Sequence, residues 1–308
     1  MQRREYLKTI GAGAAVVGLA GCTGNGDGGS GDGGDGGDGG DTTTESGDGG
    51  DGGDTTTESG GDSQYGLENG VVTIGSDIPY RPFEYRTESG DLTGFDVGIA
   101  EAVFVEEMGL EYEFQKNAFD TIIPSLNNGN FRVIMSAMTI NDQRAEKVDF
   151  SDPYFTAYQT VIVRTDSDIS SQEDLRGVSV GVQRGTTGEA ATEGLKEEFG
   201  GDLEIQSYDQ ITGAFDALLN GQVDAVINDN TVNAAFANQQ DNVEFVEGEG
   251  AAAEQGENAP PYLTLTVENY GIAFRQDDDE FRQAVNEALA AVRESGRYDE
   301  IYGEFFEG

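Results

Sequence analysis

The 308-residue chain contains no histidine and a single cysteine. Without imidazole, the Ser-His-Asp and Cys-His nucleophilic systems are excluded, and so is imidazole-bound zinc. Cys22 has no second thiol with which to close an intramolecular disulfide. Bases are scarce: 17 Lys and Arg face 59 Asp and Glu, and lysine occurs only as Lys8, Lys116, Lys147 and Lys196. The formal charge of -42 excludes a nucleic-acid partner, because neutralising phosphates requires a basic face. Such a charge repels itself in dilute buffer, whereas about 1 M salt cuts the screening length to about 3 Å. The composition therefore fits a halophilic source.

What is present begins with an export signal. Arg3 and Arg4 precede an apolar stretch at 10–20 that is too short to span a bilayer and reads as the apolar core of a signal peptide. RREYLK resembles a twin-arginine signal, with Gln2 in place of the usual Ser or Thr and Tyr6 in place of Phe. LAGC at 19–22 looks like a lipobox, which makes residues 1–21 the signal peptide and Cys22 the acylated first residue of the mature chain. The alternative is an uncleaved amino-terminal anchor. Under either reading the body faces outside.

Residues 22–64 are dominated by Gly, Asp and Thr, with a near repeat of DGGDTTTESG. With almost no apolar side chain to bury, this tract is expected to be a flexible acidic tether. It lacks the recurring large apolar residue of a calcium β-roll and the ligand spacing of an EF-hand loop.

From residue 65 onward, apolar runs alternate with helical patterns, which implies α/β lobes with mostly parallel sheets flanked by helices. Strands are expected at 71–75, 111–115, 133–135, 160–163, 178–182, 203–207, 223–227, 243–246 and 270–274. Phe95, Ile99, Ala102 and Val103 repeat at helical spacing, as do Phe281, Val285, Leu289 and Val292 near the end. The segment 247–258 reads as loop.

Two strand ends carry chemistry. In FRVIMSAMTINDQR, Ser136 and Thr139 follow an apolar run, the amides of 139–142 would open a helix, and Arg144 could grip a carboxylate with two prongs. In VDAVINDN, Asn228 and Asp229 end another run, and Asp229 could hold an ammonium. Alone, Arg144 also reads as a surface arginine and Asp229 as a helix cap. Their opposite charges point instead to one clasp for the two poles of an amino-acid zwitterion. QRGTTGE at 183–189 adds a glycine-bearing strand-to-helix turn that lacks the GK[ST] ending of a Walker loop.

From residue 71 to 306 the chain resembles family 3 solute-binding proteins of ABC importers. The resemblance is carried by SDIPYRPFEY, GFDVGIAEAV, FDTIIPSLNNG, SAMTINDQRAEKVDFSDPYF, VGVQRGTTGE, VDAVINDN and YGIAF, in that order. It implies a two-lobed, type II periplasmic-binding-protein fold with a two-strand hinge: lobe 1 from 65–156 plus 268–308, lobe 2 from 157–267. It also implies that Arg144, with amides at Thr139 and Thr187, binds an α-carboxylate, and that Asp229, Ser136 and Thr139 bind the α-ammonium. Tyr80 and Phe119 would sandwich the aliphatic part, although aromatics there also read as core. Asp77, Gln183 and Asn228 would meet a polar side chain, glutamine-like or basic; Ala137 and Gly188 depart from the hydroxyl and amide that basic-amino-acid binders tend to carry there. The partners implied are an amino acid, an ABC permease and the membrane through lipid on Cys22, for a monomer with no metal, cofactor or catalytic residue. The competing expectation is an exported enzyme on the same scaffold, such as a prephenate or arogenate dehydratase, which would need a proton donor in the cleft.

The charge balance generates a direct prediction. Thermal melting of the purified protein should move to higher temperature as KCl rises toward molar concentration, and a melting point that falls with added KCl contradicts it.

Overall fold

The computed structural model describes residues 64–256 and 259–306. The signal segment, Cys22 and the acidic tract through residue 63 lie outside the described residues, so the expectations for them have no structural counterpart here. In chain order the strands are β1 (Val71–Ser76), β2 (Tyr85–Arg86), β3 (Leu92–Thr93), β4 (Glu111–Lys116), β5 (Val133–Ile134), β6 (Asp149–Phe150), β7 (Phe155–Arg164), β8 (Ser179–Gln183), β9 (Glu204–Tyr208), β10 (Ala225–Asp229), β11 (Val243–Phe245), β12 (Thr264–Tyr270) and β13 (Ala273–Phe274). The α-helices are α1 (Phe95–Ala100), α2 (Phe119–Asn127), α3 (Asp142–Ala145), α4 (Thr187–Glu198), α5 (Ile211–Leu219), α6 (Asn230–Ala237), α7 (Asp279–Glu294) and α8 (Arg297–Phe306). A π-helical stretch, Glu101–Glu107, extends α1 and buries Ala102, Val103 and Phe104.

Two sheets organise the body. The first runs β4-β1-β5-β13-β6, and the second runs β11-β7-β10-β8-β9 with β12 also paired to β7. Parallel pairing joins β4, β1 and β5 in one sheet and β10, β8 and β9 in the other, where helical crossovers connect the strands. Antiparallel pairing gathers around β13 and β7, so each sheet is parallel on one side and antiparallel on the other. The long strand β7 of the second sheet follows β6 of the first in the chain, and β12, which leads back to β13 of the first, runs beside it with Tyr270 opposite Phe155 and Asn269 opposite Thr156. The chain therefore passes between the sheets along one antiparallel pair.

The base of that pair is fixed by aromatic packing. Phe155 and Tyr270 stack at 5.5 Å, Phe83 meets both edge-on at 5.1 and 5.3 Å, and Phe95 and Phe306 close the cluster at 5.3 and 5.1 Å from Phe155. Each such pair adds about 0.5–1.5 kcal/mol beyond simple area burial. The crossing strands are thus anchored to α1 and α8 of the first-sheet side. Gly94 makes the approach possible: its φ of 135° favours glycine, and a Cβ there would lie 2.0 Å from the Phe83 carbonyl oxygen. On α7 the expected apolar stripe of Phe281, Val285, Leu289 and Val292 is buried.

Candidate ligand-binding site

Strand ends converge on one cavity. From the first-sheet side it is lined by Asp77, Tyr80, Phe119, Ser136, Ala137, Thr139 and Arg144; Gln183, Thr187, Asn228 and Asp229 line it from the second. Those eleven residues are the set named from the sequence. Gln159 and Thr186 line it as well and were not named. Asp77 follows β1, Ser136 lies just beyond β5, and Gln183 and Asp229 end β8 and β10, so the cavity sits at carboxyl ends of strands.

Arg144 is 7% exposed. Its Nη1 donates to the Thr139 carbonyl at 2.8 Å and its Nη2 to the Gly185 carbonyl at 3.3 Å, while the guanidinium lies 5.1 Å over the Phe119 ring. Among the described residues no carboxylate lies within 4.0 Å of it. Burial lowers its pKa, Glu268 and Asp229 oppose that shift, and guanidinium stays protonated in any case. The result is a buried cation held by two neutral carbonyls and by no anion, a costly arrangement unless an anionic group completes it.

The helix expected to open at 139–142 starts later. α3 is one turn, capped by Asn141, whose Oδ1 accepts the Arg144 amide at 2.9 Å. Thr139 instead bridges Tyr270, because Ile140 donates to the Asn269 carbonyl and Gly271 to the Met138 carbonyl. One turn supplies little dipole. The longer helix that opens at the cavity is α4, whose first-turn amides at Thr187 and Gly188 have no intrahelical acceptor. Gly188 fits because a Cβ there would meet the Gln159 Oε1 at 2.9 Å and the Ile227 carbonyl at 3.0 Å.

Asp229 occupies the N-cap position of α6 yet makes no side-chain cap bond. Its carboxyl accepts instead from the Tyr80 hydroxyl and from Gln159 Nε2 at 2.5 Å. Burial, reinforced by the charge of Glu268, raises its pKa from the usual 3.8 to about 7, against the opposing pull of the Tyr80 and Tyr270 hydroxyls and Arg144. Asn228 accepts from Tyr80 at 3.0 Å, but its Nδ2, like Gln159 Oε1, is buried with no partner among the described residues. Tyr80 packs in the main core, as its alternative reading expects, and also lines the cavity, where its hydroxyl meets Asn228 and Asp229. Asp77 accepts from the Gln183 amide and from Gln210 Nε2 at 2.8 Å, and burial raises its pKa too.

Glu268, on β12, lies beside the cavity with 6% exposure. Its Oε2 accepts from Thr139 at 2.5 Å and Thr187 at 2.7 Å, and its Oε1 accepts from Thr266 at 2.9 Å. Neither Glu268 nor Gln159 was singled out from the sequence. For Gln159 the available signal was an amide inside a largely apolar strand, and register decides its meaning: it stands opposite Asp229 on one side and Thr266 on the other. No cluster of His, Cys, Asp or Glu able to hold a metal ion occurs among the described residues.

Residues 72–192 and 185–308 match the sequence model of the bacterial extracellular solute-binding proteins, family 3. A probable histidine-binding protein of Neisseria gonorrhoeae is 34% identical over 240 residues, covering 77% of this chain and 83% of that one. An ancestral arginine-binding protein bound to glutamine matches with a TM-score of 0.68 at 36% identity, over 78% of this chain and 99% of its own. An ancestral amino acid-binding protein that is a precursor of cyclohexadienyl dehydratase matches with a TM-score of 0.67 at 36% identity, over 77% and 96%.

The raised pKa of Asp229 has a stability consequence. Protonated Asp229 favours the fold, so its contribution is complete below pH 3.8 and is lost as pH rises through about 7. Asp229→Asn cannot ionise and escapes that loss. In ligand-free melting curves the variant should gain on the wild type between pH 5 and 8 by roughly 1–3 kcal/mol. Parallel curves across that range contradict the assignment.

Proposed function

Because the chain belongs to family 3 of the bacterial extracellular solute-binding proteins, we propose that it is an amino-acid receptor that hands its cargo to an ABC importer permease. The carrying observation is Arg144: a buried guanidinium with no carboxylate partner, sharing one cavity with the buried carboxyl of Asp229. An α-carboxylate completes Arg144, with the Thr139 and Thr187 amides as further donors. An α-ammonium beside Asp229 stabilises its ionised form and so recovers the cost of burying that charge. Tyr80 and Phe119 flank the aliphatic segment, and Asp77, Gln183 and Asn228 meet the side chain. Asp77 suits a cation, while the free Asn228 amide donor suits a carbonyl such as that of glutamine, so the ligand class is a polar amino acid, glutamine-like or basic.

Closure follows the usual logic of a hinged pair. Lobe 1 (65–156 plus 268–308) and lobe 2 (157–267) turn about the β7–β12 pair, and the ligand, touching both walls, favours the closed arrangement. The receptor acts as a monomer on the extracytoplasmic face, lipid-anchored through Cys22 after twin-arginine export, on the acidic tether. No helix among the described residues is long and apolar enough to cross a membrane.

A dehydratase reading draws on one observation, the Asp229 carboxyl, which at a pKa of about 7 retains a proton to donate at neutral pH. Against it, the paired charges suit holding an intact zwitterion. A calorimetric screen of the standard amino acids in molar KCl, with prephenate and arogenate assayed for turnover, separates the two. Arg144→Ala should leave melting nearly unchanged but cost binding about 2–5 kcal/mol. Against about -8 kcal/mol for micromolar affinity, that loss brings the Kd to tens of micromolar or weaker. Near-normal affinity in the variant, or turnover without binding of any amino acid, overturns the proposal.

A further inference from the structure

Beneath the cavity wall lie two carboxyls that touch no ligand-facing space. Glu84 and Asp96 are both 0% exposed. They brace consecutive residues of the wall. Ser136 donates its hydroxyl to Glu84 Oε1 at 2.8 Å, and the Ala137 amide donates to Asp96 Oδ2 at 2.9 Å. Ser136 in turn accepts the Asp77 amide at 2.9 Å, so three cavity residues hang from this pair. The brace holds a tight bend: Ala137 sits at a φ of 45°, a conformation that residues bearing a Cβ seldom adopt.

Hydrogen-bond supply tells the two acids apart. Asp96 has two donors, the Ala137 amide and the Tyr154 hydroxyl at 2.9 Å, and it lies in the first turn of α1, all of which favour carboxylate. Glu84 accepts one well-formed bond, from Ser136; the buried Ser76 hydroxyl beside it pulls more weakly toward the charged form, and Oε2 has no partner at hydrogen-bond distance among the described residues, so the protonated acid falls to Glu84. No lysine or arginine hydrogen-bonds either group among the described residues. The neighbours that face them are Ser76, Asp77 and Tyr80 from β1 and the turn after it, Ser136 and Ala137 after β5, and Tyr154 before β7. Of these, Asp77 adds a further negative charge against Glu84. Burial and mutual repulsion raise the Glu84 pKa well above the carboxylate range, and burial raises Asp96 to about 6.

We propose that Glu84 and Asp96 are positioning residues that share one proton and thereby hold Ser136 and Ala137 against the cavity, so that losing the proton loosens this wall and weakens binding in alkaline solution. With the proton gone, two adjacent buried carboxylates face each other without a cation, and the cheapest relief is movement of the segment they brace. The effect on binding rests on the amino-acid reading above; the effect on the wall does not.

The test measures amide exchange at Ala137 by NMR on the ligand-free protein in molar KCl, from about pH 7 to about pH 9.5. In the wild type the protection factor at Ala137 should fall by about tenfold or more, while α7 amides keep theirs. Glu84→Gln still accepts from Ser136 but cannot ionise, so its Ala137 protection should stay level within about threefold. Calorimetry with L-arginine in parallel should show wild-type Kd rising over the same range and the variant's Kd flat. Level protection in the wild type, or an equal fall in the variant, overturns the proposal, and the wild-type arm decides even if the variant fails to fold. If L-arginine binds at no pH, L-glutamine replaces it as titrant; failure of both counts against the ligand assignment and leaves the exchange result to decide the acid pair.

Discussion

Arg144 and Asp229 are both buried, line the same cavity, and form no ion pair with each other. A protein that only needed stability would bring such groups together or replace them with apolar side chains, since a separated buried pair is the costlier choice. Here the two are held apart by other bonds: carbonyls and the Phe119 ring fix the guanidinium, while Tyr80 and Gln159 fix the carboxyl. Desolvation shows at both, lowering the pKa of Arg144 and raising that of Asp229 to about 7. On the proposed function, one solute with complementary poles at the right separation removes that cost, and a zwitterion is the ligand that meets both needs.

The rest of the two-lobed fold serves that separation. Parallel strands deliver Asp77, Ser136, Gln183 and Asp229 at their carboxyl ends, and the crossing pair β7–β12 places Gln159 and Glu268 between the two walls. Glu268 ties Thr139 of one wall to Thr187 of the other through a single oxygen. The aromatic cluster around Phe155 and Tyr270 anchors the base of the crossing strands. Below the wall, Glu84 and Asp96 support the bend that points Ser136 and Ala137 at the cavity.

Much of this was legible in the chain because charges that interrupt apolar runs are conspicuous. Arg144 and Asp229 follow strands whose burial the runs announce, and their opposite signs suggest a common task before any contact is known. The alternation of strands and helices likewise gives the parallel halves of both sheets. What was not legible depends on register and distance in sequence. Glu268 reaches Thr139 and Thr187 across 129 and 81 residues, and nothing local in TLTVENY foretells it. The helix before Arg144 is shorter than its sequence suggests: residues 139–142 look like a helix entrance, whereas pairing of 138–140 with 269–271 keeps the chain extended until Asn141 caps a single turn. Glu84 and Asp96 read as ordinary acids in a loop and an amphipathic helix, and only packing makes them neighbours.

On the proposed function, one solute satisfies both anchors at once. That is tested most directly by taking the tightest-binding amino acid found for the protein and comparing it, by calorimetry in molar KCl, with its decarboxylated amine and its desamino acid. The amine leaves the Arg144 charge unanswered and the desamino acid forgoes the ion pair with Asp229, so each should bind about a hundredfold more weakly or not at all. If either truncated compound binds as well as the parent amino acid, the corresponding anchor does not hold a pole of the ligand and the account fails.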